Sequence, residues 1–305
     1  MPDVDQVIMH LFTIRDFIRW GASRMNQAGL HFGHGTADAI DEASALVLHG
    51  LNLPPDLPEE YLQSALTPAE KLTVLELLER RIRERKPAAY ITREAWFMGL
   101  PFYVDERVLV PRSPIAELVE QRFAPWLNPE AVERVLDLCT GSGCIGIACA
   151  EAFPDALIDL VDVSAEALEV AHENVMRHAL EKRCEIIQSD LFTALDGRQY
   201  DLIVTNPPYV SVAQWRLLPE EYRHEPRLGL EAGEQGLDVV TDILGQAADF
   251  LTHNGVLVME VGNSAPALNR TFPDAPFVWL DFERGGEGVL LITAEDLRGS
   301  RDAFA

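Results

Sequence analysis

The chain has 305 residues, 48% hydrophobic and 24% charged, an ordinary globular mixture long enough for about two domains. It carries 25 Lys and Arg against 49 Asp and Glu, a net charge of -24, which disfavours non-specific binding to a phosphate backbone and attracts a basic partner. The same acidity serves solubility, and charge alone does not choose between the two. Cys139, Cys144, Cys149 and Cys184 lack CxxC spacing, so no metal site is expected and the thiols read as small, reduced and buried. The segment Met1 to Asp5 lacks the basic start of a signal peptide, and no apolar run reaches membrane-spanning length. A cytoplasmic protein without a membrane segment is expected.

In chain order, residues 1–90 read as a helical domain. Val7, Leu11, Ile14, Phe17 and Ile18 recur at helical spacing. A second helix spans 36–50, with Thr36 as candidate N-cap and Gly50 as its stop. Thr67-Pro68-Ala69-Glu70 is a capping box with proline in the first turn, opening a helix that ends before Pro87. The basic run Arg80 to Lys86, interleaved with Glu79 and Glu84, reads as a solvated face of that helix. Residues 91–112 form a connector in which aromatic and β-branched residues flank Gly99-Leu100-Pro101, the pattern of a hairpin. Ser113 then caps a helix with Pro114 at its first position.

The third region, 113–305, alternates strand and helix. Strands are predicted at 133–138, 156–162, 184–189, 200–205 and 255–261, and helices at 144–152, 164–179 and 236–252. That alternation gives an α/β fold, a parallel sheet covered by helices on both faces. The tail PFVWLDFERGGEGVLLIT reads as two strands joined through Gly285-Gly286, so the last strand runs antiparallel.

The chemistry concentrates where strands end. Asp137 to Gly146 joins a strand to a helix, and Gly141 and Gly143 allow φ > 0 and a close approach of backbone to ligand. The string matches GxGxxG, so a nicotinamide or flavin enzyme enters consideration. Asp162 ends the second strand, where an acid can accept ribose hydroxyls, and it equally reads as a capping residue. Asp190 ends the third strand, placed to accept from an adenine amino group with Leu191 packed beside the ring; helix capping is the plainer alternative.

Asn206-Pro207-Pro208-Tyr209 follows the fourth strand directly. Two prolines stiffen the chain and remove two donors, leaving the Asn206 side-chain oxygen and the Pro207 carbonyl as a row of acceptors. A planar NH2 group needs such a pair, one acceptor for each hydrogen. Its lone pair is delocalised, and methyl transfer requires that pair to localise while positive charge grows on nitrogen, which two aligned carbonyl dipoles favour. Tyr209 can pack on the planar substrate group and border a cationic sulfonium.

Together these residues resemble class I S-adenosylmethionine methyltransferases that act on amino groups. The whole chain, with helices and a hairpin before the α/β domain, is similar to the protein glutamine N5-methyltransferases. The resemblance implies a seven-stranded sheet with an antiparallel last strand. It further implies that Asp137, Thr140, Gly141, Gly143, Asp162, Asp190, Leu191 and Asn206 hold S-adenosyl-L-methionine. The methyl-accepting amide would lie against Asn206, Pro207, Pro208 and Tyr209, of which Asn206, Pro207 and Tyr209 carry the catalysis. WFMGLPFYVDERVLVPRSPIAELVE and LPEEYRHEPRLGLEAGEQGLD are similar to the branch that modifies the third protein of the large ribosomal subunit, a basic partner. Pro111-Arg112-Ser113-Pro114 departs from the Pro-Arg-Pro-Asp-Thr-Glu type string of the branch acting on peptide-chain release factors. Glu225-Pro226 and Glu231 fall in the loop after the acceptor motif and read either as a substrate-channel border or as surface charge.

Three further classes remain at this point, one of them a non-catalytic binding module, which leaves unexplained why the cofactor residues and the acceptor motif occur together. A dehydrogenase explains the glycine string but neither Asn-Pro-Pro-Tyr nor the terminal hairpin. An adenine-N6 nucleic-acid methyltransferase shares the planar NH2 chemistry, but it requires base flipping and a basic face.

Overall fold

The computed structural model describes residues 9–304. These pack as two compact units: the described residues up to Glu94 together with Pro219–His224, and Ala95–Leu218 together with the chain from Glu225 onward.

The first unit holds α1 (Ile14–Gln27), α2 (Ala39–Gly50), α3 (Pro68–Glu84) and the single turn α4 (Ala88–Thr92). Phe17, Met25, Leu46, Val74 and Leu78 form its core. The apolar spacing read from Val7 onward does not mark one helix. Thr13 and Asp16 make a reciprocal capping box that starts α1 at Ile14, and Val7 lies outside the described residues. At α2, Asp38 rather than Thr36 is the N-cap, because its carboxylate accepts from both Ile40 N and Asp41 N. The capping box at Thr67 and Glu70 starts α3 as expected.

The basic run is not wholly a solvated face. Arg81 is fully buried: Nε donates to Glu42 Oε1 at 2.9 Å, and Nη2 donates to Glu42 Oε2 at 3.1 Å and to the His31 carbonyl at 3.0 Å. Pro219–His224 joins this unit through Glu221, which accepts from His31 N at 3.0 Å and pairs with Arg85 at 2.8 Å.

The second unit opens with the hairpin β1 (Ala95–Phe97) and β2 (Leu100–Phe102). Its two-residue turn, Met98-Gly99, has positive φ at both positions, the turn whose twist matches an antiparallel pair. There follow α5 (Ile115–Glu120), β3 (Arg134–Leu138), α6 (Cys144–Ala152), β4 (Leu157–Asp162), α7 (Ala165–Arg177), β5 (Cys184–Gln188), β6 (Tyr200–Thr205) and α8 (Val212–Leu217). The chain ends with α9 (Asp238–Phe250), β7 (Leu251–Glu260), α10 (Ala265–Thr271), β8 (Val278–Leu280), β9 (Val289–Thr293), α11 (Ala294–Gly299) and α12 (Arg301–Phe304). The helix after Pro111 is assigned from Ile115, with Ser113 Oγ still accepting from Ile115 N at 3.2 Å.

Seven strands form one sheet in the order β5-β4-β3-β6-β7-β9-β8. Every pairing from β5 to β7 is parallel, and β9 inserts antiparallel between β7 and β8. The buried strands are apolar runs, as expected for a sheet covered on both faces. β7 starts earlier than its apolar run predicts, because residues 252–255 are taken up where its register against β6 shifts between Tyr200 and Leu202. The connections from β3 go to β4 on one side, and β6 pairs with its other edge, so the order of winding reverses at β3. In such sheets the ligand crevice lies outside the strand C-termini at that reversal.

Candidate active site

β3 ends in a turn that closes on itself. Asp137 is fully buried, and its Oδ2 accepts from Thr140 Oγ1 at 2.5 Å and from Gly146 N at 2.8 Å. Its Oδ1 is buried and has no hydrogen-bond partner among the described residues. Burial, reinforced by the Asp162 charge, pushes its carboxyl up to about 7. A lone buried carboxylate oxygen suits an ammonium donor, such as the amino group in the methionine part of S-adenosylmethionine.

Gly141 and Gly143 have φ of 54° and 82°. A Cβ built on Gly141 meets nothing within 4 Å, so the turn presents bare backbone to open space. Gly141 N donates to Asp162 Oδ2 at 2.9 Å, while Asp162 Oδ1 accepts from Ser164 N at 2.9 Å. Asp162 is therefore fixed on both oxygens, each retaining acceptor capacity for a ligand hydroxyl. Burial raises its carboxyl above the ordinary range.

Ser189 N donates to the Asp162 carbonyl at 3.1 Å and brings the end of β5 beside that of β4. Asp190 is exposed, and Leu191 is half-buried with φ of 46°, a left-handed conformation uncommon for a leucine. Thus Thr140 bonds to Asp137 and its neighbour Gly141 bonds to Asp162, while Asp190 and Leu191 are the next two residues after Ser189, which is bonded to the end of β4.

The acceptor motif leaves β6 after Thr205, whose Oγ1 donates to the Leu138 carbonyl at 2.7 Å. This ties the motif's root to the end of β3. Asn206 is half-buried and Pro207 buried; neither the Asn206 amide nor the Pro207 carbonyl is hydrogen-bonded among the described residues. Tyr209 donates its hydroxyl to Glu260 Oε1 at 2.8 Å, and its carbonyl accepts from Ser264 Oγ at 2.7 Å. Its ring lies against Gly262, where an added Cβ would stand 2.7 Å from Cε2. Val210 N and the Leu230 carbonyl, 2.8 Å apart, close the base of the following loop.

Three groups escaped the sequence reading. Glu260 ends β7 and lies buried between the hydroxyls of Tyr209 and Ser113; the strand-end rule that picked out Asp162 would have found it. Asn174 is buried on α7. It accepts from Tyr103 N at 2.7 Å and donates to the carbonyls of Tyr103 and Ser142, both at 2.9 Å, pinning the chain after the hairpin to the glycine turn. Arg112 forms a bidentate pair with Glu225 at 2.5 and 2.8 Å, and Glu225 also accepts from Val110 N at 3.1 Å. Glu225 is therefore a buried structural acid, while Glu231 pairs with Arg227 at 2.7 Å.

Here the antiparallel β9, the orphaned acceptor on Asp137 and the open pair of acceptors after β6 define a class I S-adenosylmethionine-dependent methyltransferase. The methyltransferase small domain model matches residues 121–218. A Francisella tularensis protein, a ribosomal protein uL3 glutamine methyltransferase, is 49% identical over 299 residues, covering 98% of this chain and 95% of that one. A Bordetella pertussis protein of the same description is 51% identical over 288 residues, covering 94% and 97%. The chain belongs to this family of glutamine methyltransferases, and S-adenosylmethionine is its cofactor. A solved methyltransferase from Pyrococcus furiosus is similar at 18% identity and a TM-score of 0.47, over 64% of this chain and 89% of that one.

Proposed function

We propose that the protein methylates the side-chain amide nitrogen of a glutamine in ribosomal protein uL3. The observation that carries this reading is the pair of unengaged acceptors, the Asn206 amide oxygen and the Pro207 carbonyl, at the end of β6. The names of the two relatives support the choice of partner.

In this reading Asp137 takes the ammonium of S-adenosylmethionine, Asp162 its ribose hydroxyls, and Asp190 and Leu191 lie by its adenine, with Thr140, Gly141 and Gly143 shaping the turn. The bound cofactor supplies an electrophilic methyl on a sulfonium. Asn206 and Pro207 accept the two amide hydrogens and so favour localisation of the nitrogen lone pair. Pro208 keeps that backbone rigid, and the Tyr209 ring borders the amide plane. Alignment of nitrogen and methyl can supply up to about 7–11 kcal/mol of the barrier. No strong base is required early, because the proton is lost after the nitrogen becomes cationic. The helices up to about residue 90 and the hairpin of 91–112 grip the substrate protein in the cytoplasm, and the net charge of -24 favours its basic surface.

The test is intact-mass spectrometry of uL3 and of a release factor, each incubated with enzyme and S-adenosylmethionine and then fragmented to locate any methyl. One methyl on a glutamine of uL3 alone is expected. A methyl on the release factor alone keeps the chemistry and overturns the partner; no transfer to either overturns the reading.

A further inference from the structure

Glu260 closes β7 at the C-terminal edge of the sheet, and the proposed chemistry leaves it without a task. Its carboxylate is buried, yet each oxygen has a hydroxyl donor from a different part of the chain. Tyr209 donates to Oε1 at 2.8 Å and Ser113 to Oε2 at 2.6 Å. A buried carboxylate is kept only where such donors satisfy it. Ser113 Oγ also accepts from Ile115 N at 3.2 Å, and Gly286 in the β8–β9 loop packs on the next residue, Pro114, where an added Cβ would lie 2.6 Å away.

The consequence falls on Asn206 and Pro207. On one side, Thr205 ties the motif to the Leu138 carbonyl. On the other, Tyr209 is held by ring, carbonyl and hydroxyl: against Gly262, by Ser264, and by Glu260. Between these two anchors stand the Asn206 side chain and two prolines with fixed φ. The hydroxyl bond to Glu260 continues through that residue's other oxygen to Ser113, just ahead of α5.

We infer that Glu260 is a positioning residue for the methyl transfer: it fixes Tyr209 against Ser113, just ahead of α5, and thereby holds the Asn206–Pro207 acceptor pair in place. The inference rests on the proposed role of that pair. A glutamine at 260 removes the charge and replaces one acceptor oxygen with an NH2, so one hydroxyl must turn to accept and both bonds lose their charge-assisted strength, with little change of shape.

The experiment compares Glu260→Gln, Tyr209→Phe, the double variant and Ser113→Ala. Glu260→Gln and Tyr209→Phe should each lower kcat about 10- to 100-fold, the scale of a misplaced reacting group, with KM and cofactor affinity nearly unchanged. The double variant should be no slower than the worse single one, since both act through one hydrogen bond. Ser113→Ala should lower kcat less. Amide hydrogen exchange in cofactor-loaded enzyme should rise over residues 206–212 in Glu260→Gln, a readout that needs no substrate. Additive losses in kcat, or unchanged exchange in that segment, would overturn the inference. If wild-type enzyme transfers no methyl to uL3, the proposed function fails, and the exchange measurement decides the placement of the loop by Glu260 on its own.

Discussion

Gly146 and Asp137 meet without room for a side chain between them. The Gly146 amide donates to Asp137 Oδ2 at 2.8 Å, and a Cβ at position 146 would lie 2.9 Å from Asp137 Cβ and 2.2 Å from Leu160 Cδ2. Close packing of α6 on β3 and β4 and the orientation of the buried acid therefore share one requirement. Gly146→Ala should destabilise the protein by about 1–3 kcal/mol, the usual cost of overpacking. It should also weaken S-adenosylmethionine binding, because the helix can retreat only by releasing Asp137. Urea unfolding and calorimetry check the two effects; a variant with wild-type midpoint and affinity would show that the site relaxes freely.

The Asp137 carboxyl gives cofactor binding a pH dependence. Burial raises it from 3.8 to about 7, so the ligand-free folded protein holds this proton through the acid range. Stability from that proton is complete below the unfolded value and is lost as pH rises through about 7. A bound ammonium favours the ionised form, so binding expels the proton wherever the free protein still carries it. Affinity for S-adenosylmethionine should therefore climb as pH rises towards about 7, by at most about tenfold per pH unit for this one group, and then level off. Asp162, also raised by burial, acts in the same direction. Asp137→Asn should bind more weakly and lose most of the slope. Calorimetry in buffers of different ionisation enthalpy measures the released proton directly, and a flat profile would contradict the ammonium's placement at Asp137.

Asn206→Ala removes one of the two acceptors while leaving the turn and Asp137 untouched. Turnover should fall by about 10²–10³, by analogy with losing one preorganised dipole from a reacting centre. Cofactor affinity should stay close to wild type. Single-turnover methylation with parallel cofactor titration separates the two, and undiminished turnover would remove Asn206 from the reaction.

The alternation of strand and helix from β3 to β7 was legible because doubly covered strands are short apolar runs, α7 and α9 are amphipathic, and the glycine turn marks the start of the nearly all-buried α6. Strand ends were legible too, since an acid such as Asp162 interrupts an apolar run. The bonds between distant segments were not. Arg112 and Glu225 are 113 positions apart, and no periodicity links them. Nor does any pattern mark Asn174, whose three side-chain hydrogen bonds go to Tyr103 and Ser142, both in loops far from it in sequence. Thr36 and Asp38 are both capping residue types; the choice fell to the side chain that reaches two amides. The burial of Arg81, by contrast, was within reach. It stands seven residues after Val74 and three after Leu78, on the same buried stripe of α3, and the charge of its neighbours obscured that spacing.

Arg81 is also the residue whose loss should most disturb the helical unit. Its guanidinium is fully buried, bonded to both oxygens of Glu42, with Glu221 3.8 Å away. Glu42 in turn accepts from Ala88 N at 3.0 Å, so the pair joins α2, α3 and the start of α4. Arg81→Met removes the only guanidinium in contact with Glu42 among the described residues and leaves a buried carboxylate without its cation. Breaking a buried pair in this way costs about 3–5 kcal/mol, whereas replacing both partners with apolar residues of similar volume is often close to neutral. Arg81→Met should accordingly lower the urea midpoint of the helical unit sharply, and Arg81→Met with Glu42→Leu should recover much of the loss. Glu221 would remain in the double variant, but Arg85 still pairs with it at 2.8 Å. Hydrogen exchange along α3 reports this unit separately from the sheet. Equal protection in the single and double variants would mean that packing, rather than the stranded charge, sets the cost.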